Sequence, residues 1–137
     1  MTKQLAILAV LIGGVFAGST AVQAHHAFAA EFDGNAPVEV KGSVVKGKWV
    51  NPHSWLYVDV KNPDGTVSNW GFEFGSPYAL QQRGLDKSVL QPGVEVTING
   101  FRSKSGKPYA YAVTIKLADG RVFKTGGAQD APAPAGT

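Results

Sequence analysis

The sequence predicts an all-β domain with one short helix, an OB-like five-stranded β-barrel with elements in the order β-β-β-α-β-β. Three observations carry that expectation. Apolar and polar residues alternate in successive short segments from Pro37 to Leu117. Clusters of Pro, Gly, Asn and Asp separate those segments. One helix signature, Ser76-Pro77 running to Gly84, falls between the third and fourth of them. Another small β-barrel capped by a helix would fit the same pattern.

The first strand opens at Pro37, where Val38, Val40 and Val44 alternate with Glu39, Lys41 and Ser43. After Val44 the phase slips, and Val45, Gly47 and Trp49 fall in step. Gly42 and Gly47 suit the bulge or bend that a strand of a curved sheet needs. Asn51-Pro52 breaks this strand. Ser54–Lys61 is the second, with Leu56, Val58 and Val60 on one face and Trp55, Tyr57 and Asp59 on the other. The turn Asn62-Pro63-Asp64-Gly65 joins it to a third strand, Val67–Phe74, whose Trp70, Phe72 and Phe74 should be core. After the helix, Gln91-Pro92-Gly93 turns into a fourth strand, Val94–Phe101, with Val96 and Ile98 inward. The fifth, Tyr109–Leu117, places Tyr111, Val113 and Ile115 on one face. Asp119-Gly120 makes a last hairpin to Val122-Phe123.

Ahead of this domain, Lys3 leads into the apolar run Leu5–Phe16, and Gly18, Ser19 and Thr20 precede Ala21-Val22-Gln23-Ala24. A charged start, an apolar run too short to span a bilayer and small residues at the end make a secretory signal peptide, cut after Ala24. The expected organisation is a signal peptide at 1–24, an N-terminal arm at 25–36, the barrel at 37–124 and a disordered, solvated tail at 125–137. The expected location is periplasmic or secreted.

Removing 24 of the 137 residues leaves 113, enough for one modest core. The formal charge of +3 falls to +2 when Lys3 leaves, too weak to imply a polyanionic partner such as nucleic acid. The chain has no cysteine, which excludes disulfides, thiolate metal sites, thiol nucleophiles and lipid attachment behind the signal. No second apolar stretch could anchor the mature chain. Neither a Gly-x-Ser-x-Gly elbow, a phosphate loop nor a His-Glu-x-x-His segment occurs, so nothing argues for an enzyme.

The three histidines are His25, His26 and His53. Cleavage after Ala24 makes His25 the amino terminus, where its α-amine and ring Nδ1 can close a six-membered chelate on one metal ion. Another imidazole completes a planar set of three nitrogens, which suits Cu(II) best among the available divalent ions. Copper also promotes the loss of the amine proton near neutral pH. The plain alternatives are a frayed terminus that binds nothing, and a His53 ring packed on Trp49 or Trp55. Trp55 and Tyr57, with Trp49, offer a second candidate, an aromatic face for a ligand or partner. The competing expectation is that Phe28 and Phe32 of the arm dock there and cover it. Glu73 lies between Phe72 and Phe74 and is expected to point outward and pair with Lys48 or another lysine.

The start His25-His26-Ala27-Phe28, with Glu31-Phe32-Asp33 after it, resembles a family of exported bacterial proteins known only as a domain of unknown function. The likeness continues through Lys41-Gly42, Trp49-Val50-Asn51-Pro52-His53-Ser54-Trp55-Leu56 and Trp70 to Glu73. It ends with Gly75-Ser76-Pro77, Leu80, Arg83-Gly84 and Leu90-Gln91-Pro92-Gly93. Members of that family usually carry serine where this chain has Ala27, a departure that costs no histidine. The resemblance implies export and the same domain boundaries, and it supplies no activity. Two functions are therefore expected to compete. One is a periplasmic module holding a divalent metal, copper first, through His25, His26 and His53. The other is a metal-free module presenting its aromatic face to a peptide, a glycan or a periplasmic protein.

Overall fold

Extended chain from Phe32 to Lys48 forms β1, the strand around which the others assemble. A computed structural model describes residues 27–128 and 130–133. The expected signal segment, His25, His26 and residues 134–137 lie outside the described residues. Within them, helix α1 (Ala27–Glu31) precedes β1. There follow β2 (Trp55–Lys61), β3 (Val67–Glu73), helix α2 (Pro77–Gln82), β4 (Glu95–Ser103), β5 (Tyr109–Leu117) and the short β6 (Val122–Lys124). The architecture is a mostly antiparallel six-stranded sheet with short helices. Among the described residues no helix is long and apolar enough to cross a membrane.

β1 pairs with β2 through its C-terminal half and with β4 through most of its length. The phase slip read after Val44 is a register shift between Val44 and Lys46, with Val45 exposed beside it. Gly42 lies so close to the Asp59 carbonyl that a Cβ would overlap it, so glycine permits this close approach of β1 and β2. β2 pairs with β3, and β3 meets β5 in parallel over Gly71–Glu73 and Tyr109–Tyr111. β5 also pairs with β4 and β6. The succession β1–β2–β3–β5–β4 thus returns to β1.

The main core forms on the faces the alternation marks. Leu56, Val58, Trp70, Phe72, Phe74, Val96 and Ile98 are all buried there. Leu80 of α2 joins them, followed by Leu85 and Leu90. The helix begins where the sequence places it. Ser76 Oγ accepts the Ala79 N–H at 3.3 Å, Pro77 holds the first helical position, and Gly84 at φ +80° ends the turn.

Three expectations change. The arm does not run to residue 36, because β1 already starts at Phe32, whose partner on β4 is Ser103. Tyr111 and Ile115 do not share a face. A register shift at Asn99/Gly100 resets the alternation at Val113, so Tyr111 points into a second apolar cluster and Ile115 into the main core. The tail does not begin at Thr125. That residue is fully buried, its N–H donates to the Val113 carbonyl at 2.9 Å, and its own carbonyl accepts the Gly75 N–H at 2.7 Å. Arg83 donates to the Gly126 carbonyl at 2.8 Å, and the Ala128 N–H donates to the Tyr111 hydroxyl at 2.5 Å. Residues 125–128 contribute a main-chain atom to each of these bonds, which small residues supply as readily as large ones.

A candidate site at His53 and Glu73

The outer face of β3 is roofed by aromatic residues, and that determines what Glu73 can do. Register sets Trp55 opposite Glu73 across β2 and β3, and sets Tyr111 beside it across β3 and β5. Tyr109, two residues earlier on β5, stacks on Trp55 with ring centres 5.2 Å apart and planes 13° apart. Phe32 closes on Tyr109 from the arm side, also at 5.2 Å. Glu73 is therefore buried, with 6% of its surface exposed.

A buried carboxylate needs partners for its oxygens. The Tyr109 hydroxyl donates to Oε2 at 2.9 Å, and His53 Nδ1 lies in contact with Oε1. Burial, reinforced by the bond to Glu73, pushes the Tyr109 phenol far above the ordinary tyrosine range. His53 reaches Glu73 because the loop ahead of β2 is pinned to the end of β3. The Ser54 N–H donates to the Gly75 carbonyl at 3.0 Å, and the Ser54 carbonyl accepts the Phe74 N–H at 2.8 Å. The Asn51-Pro52 peptide within that loop is cis. The His53 side chain itself stays 44% exposed.

The opposite wall comes from α1. Phe28 packs edge-on against Phe101 and Tyr111, with ring centres at 5.7 and 5.2 Å. Lys104 fastens the helix from outside: its main-chain N–H donates to the Glu31 carbonyl at 2.9 Å, and its ammonium reaches the Ala29 carbonyl. Between Phe28 and Glu31 on one side and Pro52 and His53 on the other lies a cleft of about 460 Å³, with Trp55 and Glu73 among its lining.

The expected pairing of Glu73 with Lys48 does not form. Alternation correctly put Glu73 opposite the core phenylalanines, but the tyrosines of β5 and the arm cover that side too. Lys48 lies instead over the Tyr57 ring at 5.7 Å, next to Lys46 at 5.1 Å. Of the aromatic trio, Trp55 and Tyr57 keep to one face of β2, where Tyr57 and Tyr109 both border Gly71, and Trp49 does not join them. Trp55 joins the cleft, Tyr57 sits under the two lysines, and Trp49 is half-buried against the main core. Phe28 and Phe32 do dock, though against Phe101, Tyr109 and Tyr111 rather than over Tyr57. Tyr109 was not singled out by the sequence. Its register opposite Gly71, two positions from Glu73, follows from the β3–β5 pairing, which leaves no local signal in the sequence. Among the described residues no group of three or more His, Asp or Glu side chains could hold a metal.

Fold and cleft together define a small antiparallel β protein whose aromatic-lined site contains a histidine–carboxylate pair. The chain belongs to the family of unknown function DUF6152, whose profile matches residues 13–111. The match includes α1, the loop bearing His53, Glu73 and Tyr109, and it ends before Thr125–Ala128. No curated protein and no solved structure matches the chain.

Proposed function

We propose that this is an exported, periplasmic binding protein built on an OB-like barrel, and that it holds a divalent metal, copper first, at the cleft beside His53. The closed succession of strand pairings and the helix between β3 and β4 support the barrel reading. One observation carries the site: α1, which directly follows His25-His26 in the chain, forms the wall of the cleft that faces His53. Two residues of chain reach at most about 7 Å, which bounds how far an amino terminus released by cleavage after Ala24 would be from the start of α1. His25 would bind through its α-amine and ring, with the imidazoles of His53 and His26 filling the remaining positions. The protein would act by binding rather than by catalysis.

Titration of Cu(II) into the protein beginning at His25 tests this. Adding one residue before His25, or making His53→Ala, should each weaken binding by about tenfold or more, or 1.4 kcal/mol. Equal affinity in all three forms, or no binding below micromolar in the parent, would overturn the metal site. The latter result would favour the metal-free reading, with Trp55 lining the cleft for another ligand.

A further inference from the structure

We infer that Glu73 is the positioning residue of this site: its carboxylate takes the Nδ1–H of His53, fixes that tautomer, and leaves Nε2 as the ring's donor atom. The inference rests on the metal-binding reading for its purpose, but its geometry stands without a metal. Histidines that ligate metals usually hand their other ring N–H to a carboxylate or carbonyl, which fixes the ring's orientation and raises the basicity of the ligating nitrogen. Here the acceptor is in place, with Glu73 Oε1 on Nδ1. The carboxylate is itself held, because the Tyr109 hydroxyl donates to Oε2 at 2.9 Å. Tyr109 in turn is wedged between Trp55 and Phe32, each ring centre 5.2 Å away.

A purely structural role explains this poorly. A buried carboxylate is costly, and an apolar residue of similar volume often serves the fold as well or better. The pair is also asymmetric, with Glu73 nearly sealed and His53 half open to the cleft. That is the arrangement of a buried orienting group behind an accessible ligand.

Two measurements test the inference and keep its failure apart from failure of the metal site. In the metal-free protein, long-range ¹⁵N–¹H correlation spectra, in a buffer alkaline enough for a neutral ring, should show His53 as the Nδ1–H tautomer. Glu73→Leu should return it to the Nε2–H form favoured by an unconstrained imidazole. In Cu(II) titrations, Glu73→Leu should weaken binding about 10–100-fold in the parent and leave a His53→Ala background unchanged. Tyr109→Phe should weaken binding by less. An Nε2–H tautomer in the parent overturns the inference even if copper binds. So does a Glu73→Leu loss that persists undiminished without His53. If Glu73→Leu does not fold, the parent tautomer decides alone. Absence of copper binding with the Nδ1–H tautomer present sinks the metal site and leaves the orientation of His53 standing.

Discussion

Tyr109 concentrates the energetics of the cleft in one side chain. Burial and the hydrogen bond it donates to Glu73 both favour the neutral phenol, so its folded-state pKa lies above the unfolded reference of about 10. A group raised in this way contributes its full stability below the unfolded value and loses it as pH climbs towards the folded one. Stability should therefore fall above about pH 10, and Tyr109→Phe should flatten that fall. Tyr111, also raised by burial, keeps some of the slope. Urea midpoints at about pH 9 and pH 11 read the effect, and equal slopes for parent and variant would contradict it. The sequence singled out His53 because histidine is scarce and this one sits in a loop after proline. It misread Glu73 because alternation tells which side of a sheet a residue faces, not what lies over that side.

At the scale of elements, the strands and α2 were legible because their signals are local. Alternation marks Leu56 and Val58, Asn62-Pro63-Asp64-Gly65 marks a turn, and Ser76-Pro77 with Gly84 marks a helix. What escaped is held by distant partners. The early start of β1 depends on Phe32 meeting β4, and the ordered run from Thr125 depends on Gly75, Val113 and Tyr111. Truncation after Lys124 removes the Thr125 carbonyl from the Gly75 N–H, the acceptor for Arg83 at Gly126, and the Ala128 N–H from Tyr111. At about 1 kcal/mol per hydrogen bond, the loss should reach about 2–4 kcal/mol and lower the melting temperature by several degrees. An unchanged melting temperature would restore the view of a solvated tail.

Over the whole molecule, the return of β3 to β5 makes the site. It brings Tyr109 to Glu73 across 36 positions of sequence. Docking of α1 then sets the segment after His25-His26 across the cleft from the loop that carries His53. Sequence spacing reveals neither juxtaposition, since both follow from the order in which strands pair. Electron paramagnetic resonance of the Cu(II)-loaded protein beginning at His25 tests whether the terminus and the His53 loop share one metal. A shared site should give a tetragonal, nitrogen-rich spectrum that loses one imidazole contribution in His53→Ala. Identical spectra for the parent and His53→Ala would contradict it, because the terminus and the loop would then not share one metal.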